Sequence, residues 1–111
     1  MSPEHRLHYH WEYRKFFSGS KVLRLSECTI FQIKNELPHF RLGITIKARG
    51  SSVQRNQVKR QIRESFRKQA SALGSYDYNV VIPSHKKMTH PYPLRLGKCL
   101  RNQLAHARTS S

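Results

Sequence analysis

The stretch RLGITIKARGSSVQRNQVKRQIRESFR, Arg41 to Arg67, changes its hydrophobic period once. In its first part Leu42, Ile44 and Ile46 alternate with Gly43 and Thr45, which predicts a strand over Arg41 to Lys47 with one apolar face. Gly50-Ser51-Ser52 marks a loop. Beyond it Val58, Ile62, Phe66 and Ala70 recur every four residues, with Val53 and Leu73 bracketing them. That spacing predicts a helix over Val53 to Leu73, stopped by Gly74. At about 100° per residue, Arg55, Lys59 and Arg63 form a stripe beside the apolar face, with Arg60 and Arg67 further round. Successive cations on such a stripe stand about 6 Å apart, close to the spacing of phosphates along a nucleic-acid strand. The start of the helix, near Arg55 and Asn56, is expected to present free backbone N–H groups to an anion. Most charged stripes are solvated surface. Here Glu64 is the one acid between Arg55 and Arg67, which favours a polyanionic partner.

The flanking sequence supplies the remaining elements. Residues 1–10 are polar and His-rich and read as a loose arm. Trp11 to Phe17 predicts a short helix with aromatics around much of its circumference, broken by Ser18-Gly19-Ser20. From Lys21 to Lys34 the β-branched and aromatic residues favour strand, with an extra strand near Lys21 to Leu25. Asn35 to His39 is a turn, and Tyr78 to Ile82 a short buried strand closed by Pro83. A second basic loop, His85-Lys86-Lys87, precedes a final helix from Leu94 to Ala107 with Leu96, Leu100 and Leu104 in line. The tail Thr109-Ser110-Ser111 is expected to be unstructured. These elements make one α+β sandwich on one small sheet.

Composition narrows the partners. In 111 residues there is room for one domain, and the 37% apolar content suffices for one modest core. Against 21 Lys and Arg stand 6 Asp and Glu, a net charge of +15. Such a charge repels itself in a compact fold, and a polyanion relieves the repulsion. Nucleic acid is the first candidate and an anionic membrane surface the second. No apolar run reaches the about 18 residues that a span requires, and the N-terminus lacks a signal peptide's apolar centre. Cys28 and Cys99 are solitary, which fits a reducing cytoplasm and two buried apolar residues better than a disulfide or a nucleophile.

The segment from Arg41 to Arg67 resembles the signature of the bacterial ribonuclease P protein family: a Gly-Leu-Thr-Val strand, a basic loop, then Arg-Asn-Arg-x-Lys-Arg-x-x-Arg-Glu. Gly43, Thr45, Arg55, Asn56, Lys59, Arg60, Arg63 and Glu64 match. More weakly, an aromatic helix precedes the signature, and a Tyr-Asp-Tyr-x-Val-Val-Ile strand and a Leu-rich helix follow it. Gln57 stands where the family has its second Arg, so no phosphate contact is carried onto it. The loop from Lys47 to Val53 is one residue short.

The resemblance implies three helices and a four-stranded mixed sheet in the order α-β-β-β-α-β-α, a topology shared with a ribosomal protein domain, with a left-handed βαβ crossover. It implies that Arg55, Asn56, Lys59, Arg60, Arg63 and Arg67 bind the catalytic ribonuclease P RNA. Tyr13, Phe17 and Phe31 then line a cleft for the single-stranded 5′ leader of precursor tRNA. Lys47 and Arg49 belong to the basic loop beside that leader, the shortened loop leaving open which makes the family's contact. Aromatic faces stack on unpaired bases whatever their identity, which suits this task. By residue type alone, Tyr13, Phe17 and Phe31 read equally as core. The implied function is a subunit that promotes removal of the leader, with Mg²⁺ held mainly by the RNA and neither membrane nor obligate protein partner.

Other constellations are weaker. His5, His8 and His10 lack a matched fourth ligand for zinc. Asp77 and Glu64 are isolated, not paired as a two-metal nuclease needs. The rival functions are an assembly protein that only coats RNA, a self-sufficient small nuclease, and a helix-turn-helix DNA binder, for which the basic helix lacks a close preceding partner.

Overall fold

A computed structural model describes residues 5–7, 13–17 and 19–109. Tyr13 and Arg14 are helical and Lys15–Phe17 tighten into a 3-10 turn; Trp11, expected to open this helix, lies outside the described residues. The chain then forms β1 (Lys21–Arg24), β2 (Thr29–Lys34), β3 (Arg41–Ile46), α1 (Ser52–Lys68), a short α2 (Ala70–Leu73), β4 (Tyr76–Ile82) and α3 (Tyr92–Thr109). The four strands lie in the order β1-β2-β4-β3, antiparallel except for β3 and β4, which run parallel. Parallel neighbours need a crossover, and α1 with α2 supplies it.

Strand alternation gives the sheet two unlike faces. Leu42, Ile44 and Ile46 pair across the parallel ladder with Tyr78, Val80 and Ile82, and all six belong to the core or pack against it. Val58, Ile62 and Phe66 of α1 and Leu96, Leu100 and Leu104 of α3 cover that face, every one of them buried. The opposite face carries Gly43, Thr45, Asn79 and Val81, whose neighbours among the described residues include the N-terminal turn.

Several expectations are corrected at the margins. Val53 is 66% exposed. Five residues at about 100° each put it about 140° from Val58, off the apolar face. The helix predicted to reach Leu73 stops at Lys68, because Gln69 leaves helical geometry at φ −111°, ψ 19°. Leu73 is buried through the separate α2, whose Leu73 carbonyl accepts a 2.8 Å hydrogen bond from the Tyr78 hydroxyl. Strand β4 begins at Tyr76, where pairing with Lys34 extends it. Helix α3 begins at Tyr92, so that Pro93 falls in its first turn, where a missing N–H costs nothing. It runs on through Thr109, which the sequence placed in a tail. Of the expected loose arm, residues 5–7 are docked. Arg6 bridges Leu42, and the Leu7 amide donates to the Leu42 carbonyl at 3.0 Å, because β3 is otherwise an open edge.

Candidate nucleic-acid interface

Helix α1 starts with a capping box: Ser51 Oγ accepts from the Gln54 amide at 3.1 Å, and Gln54 Oε1 accepts from the Ser51 amide at 3.0 Å. The Arg55 amide donates to the Ser51 carbonyl at 3.0 Å. The expectation of a free Arg55 N–H is therefore corrected: the helix satisfies it internally. What α1 offers outward is side-chain charge. Arg55, Asn56, Arg60 and Arg67 are exposed, with Arg67 paired to Glu64 at 2.9 Å. Lys59 and Arg63 are half-buried instead and share a depression of about 130 Å³ with Arg6, Leu7, Tyr13, Leu42 and Ile44. Burial, with Arg6 adding repulsion, pulls the Arg63 pKa below the ordinary arginine value. The six predicted cations and amides thus divide into an outward set and a pair leaning toward the N-terminal turn.

Around the corner lies a second depression of about 390 Å³. Tyr13, Arg14, Phe16, Phe17, Phe31, Thr45, Lys47, Asn79 and Val81 line it. The predicted Tyr13, Phe17, Phe31 and Lys47 therefore meet in one place. Its floor is the sheet face opposite the core, where Asn79 lies between Phe31 and Gly43 in the ladder and accepts a 3.1 Å hydrogen bond from the Thr45 hydroxyl. Its wall is the N-terminal turn. A Cβ at Gly43 would stand 2.5 Å from Tyr13 Cε1, so the ring rests where only glycine leaves room. Phe16 is buried while Phe17 is 91% exposed, an apolar ring held in water above a shelf. Arg49 is not in this cleft. It faces His85, Lys86 and Lys87 across a separate depression of about 370 Å³, which Lys47 also borders. Sequence reasoning missed Arg14, Phe16, Thr45, Asn79 and Val81; the alternation that buries Leu42, Ile44 and Ile46 already placed Thr45 on the other face.

The side chains weighed for other chemistry have structural partners. Asp77, fully buried, accepts from Arg41 Nη2 at 2.7 Å and Nε at 3.0 Å, from Asn35 Nδ2 at 2.8 Å and from Lys15 Nζ. Among the described residues no group of three His, Cys, Asp or Glu is placed to hold a metal ion. His5 donates from Nδ1 to the Phe40 carbonyl at 2.9 Å; His8 and His10 lie outside the described residues. Burial pushes the Cys28 thiol up to about 12, so it carries no thiolate near neutral pH. Cys99 is half-buried, its sulfur 3.7 Å from Ser26 Oγ. Among the described residues no helix is long and apolar enough to cross a membrane.

Comparison with known proteins agrees with this geometry. The Ribonuclease P family model matches residues 1–108. A ribonuclease P protein component of Macrococcus caseolyticus is 36% identical over 93 residues, 80% of each chain. One from Desulfosudis oleivorans is 34% identical over 103 residues, 90% of this chain and 83% of that one. The solved RNase P protein of Thermotoga maritima superposes with a TM-score of 0.76 at 28% identity, over 89% of this chain and 96% of its own. With the signature helix, the two-faced sheet and these relatives in agreement, the chain belongs to the ribonuclease P protein family, the protein components that serve tRNA 5′ processing.

Proposed function

We propose that this chain acts in the cytoplasm as the subunit that binds the catalytic ribonuclease P RNA and grips the 5′ leader of precursor tRNA. Arg55, Asn56, Lys59, Arg60, Arg63 and Arg67 serve the catalytic RNA. Tyr13, Phe17 and Phe31 stack leader bases, Lys47 neutralises leader phosphates at the cleft, and Arg49 does so in the adjoining depression. The observation that carries this reading is the exposed Phe17 ring sharing one cleft with Phe31 and Lys47 on the sheet face opposite the core. A protein that merely coats RNA needs the cations and has no use for that cleft.

Bond cleavage is assigned to Mg²⁺ held mainly by the RNA. Three of the described carboxylates suit this division: Asp77 is committed to Lys15, Arg41 and Asn35, Glu64 to Arg67, and Glu27 lies 3.5 Å from Lys86. The test is reconstitution. The purified protein with Mg²⁺ alone is expected to leave precursor tRNA intact, and the matching RNA to confer cleavage that the protein improves most at low Mg²⁺, where phosphates repel most. RNA-free cleavage that survives exhaustive nuclease treatment of the preparation would hand the function to the small-nuclease alternative.

Association with the RNA is also expected to be steeply salt-dependent. Each phosphate neutralised contributes a slope of about −0.9 in log K against log salt on duplex and about −0.7 on single strands. Titrations at increasing salt measure it, and a flat profile removes the electrostatic basis of the binding.

A further inference from the structure

The wall of the cleft is a short turn, and its pose decides whether Phe17 can stack on anything. Lys15 sits two residues from both Tyr13 and Phe17, and its ammonium reaches the buried carboxylate of Asp77 on β4. That carboxylate is rigidly held from the sheet side. Arg41, its direct neighbour on β3, grips both oxygens, and Asn35 donates to Oδ1. Asn35 is itself fixed: its Nδ2 also donates to the His39 carbonyl at 3.2 Å, and its Oδ1 accepts from the Leu37 amide at 2.9 Å. Burial alone raises the Asp77 pKa, but hydrogen bonds from Arg41, Lys15 and Asn35 outweigh it and hold the carboxyl below its usual range. The anion is thus a permanent socket built into the sheet, and Lys15 is the plug carried by the turn.

We propose that Asp77 is a positioning residue for leader recognition: through Lys15 it sets the rotation of the N-terminal turn and thereby the direction of Tyr13 and Phe17 over the sheet. The inference rests on the leader role of the cleft. It has a signature that simple electrostatics cannot imitate. A negative charge beside the cleft repels leader phosphates, so as a field source Asp77 weakens leader binding, whereas as a socket it strengthens it.

The experiment measures binding of precursor and mature tRNA to the reconstituted holoenzyme carrying Asp77→Asn, Lys15→Met, Lys15→Arg or Phe17→Ala. Asp77→Asn and Lys15→Met remove charges of opposite sign, yet both are expected to lower the precursor-to-mature affinity ratio by about fivefold or more, the loss of roughly one stacked base. Lys15→Arg, which keeps the ion pair, is expected to recover most of the ratio. Opposite changes in Asp77→Asn and Lys15→Met, no change in either, or a Lys15→Met loss that disappears at high salt overturns the proposal. Should Asp77→Asn unfold in a thermal melt, Lys15→Met decides, because Arg41 and Asn35 still satisfy the carboxylate there. Phe17→Ala separates the two layers of the argument. If it leaves the ratio unchanged, the leader role of the cleft fails and the positioning role with it. If it lowers the ratio while Asp77→Asn and Lys15→Met do not, the positioning role alone fails.

Discussion

Replacing Tyr13 and Phe17 together by alanine is expected to weaken binding of precursor tRNA with a leader several nucleotides long by about tenfold or more, while leaving mature tRNA nearly unaffected. Stacking of a base on an aromatic ring contributes about 1–3 kcal/mol, and mature tRNA has no leader base to lose. The two rings do not contribute in the same way. Tyr13 rests on Gly43 and its hydroxyl donates to the Leu7 carbonyl at 3.3 Å, so its removal also loosens the docked residues 5–7. Phe17, 91% exposed, has little packing to lose. Phe17→Ala alone is therefore expected to carry much of the lost selectivity with an unchanged melting temperature. Filter binding with the two tRNAs measures it. Equal losses for both tRNAs would mean that the rings are structural only.

The largest effect on stability is expected from Phe66→Ala. The ring is fully buried in the last turn of α1, edge-on to Tyr78 at 5.3 Å between centroids and tilted against Phe40 at 6.2 Å. Truncating a buried Phe costs about 3–5 kcal/mol, through lost transfer energy and the cavity left behind. Small domains are stable by about 5–15 kcal/mol, so the variant approaches the limit of folding. Arg60→Ala, on the exposed side of the same helix, is expected to leave unfolding within about 0.5 kcal/mol of the parent and to weaken association with the catalytic RNA. Urea denaturation measures the first quantity and RNA titration the second. A harmless Phe66→Ala beside a destabilising Arg60→Ala would show that the helix presents the other face to the core.

Much of the architecture is legible in residue order, because the periods of helix and strand are local properties of the backbone. Alternation over Arg41 to Ile46 and the four-residue repeat through Val58, Ile62 and Phe66 name both the elements and the faces they bury. The cationic side of α1 follows from the same repeat, since residues off an amphipathic helix's apolar stripe have nowhere to go but outward or along its rim. Such periodicity carries no information on where an element ends against its neighbours. The Leu73 carbonyl beyond the stop at Gln69 is held by a hydroxyl that arrives from β4.

Other features belong to tertiary structure alone. Asp77 reads in the chain as an isolated acid; its partners lie 36, 42 and 62 positions away and meet it only when β3, the β2–β3 turn and the N-terminal turn converge. Likewise Arg49 follows Lys47 by two residues, yet it leaves the cleft where β3 gives way to the loop before α1. That the aromatic turn lies across the sheet face opposite the core is not written in any local pattern. It results from a non-local balance: a carboxylate buried on β4 is tolerable only with its cations gathered around it, and one of those cations is carried by the turn.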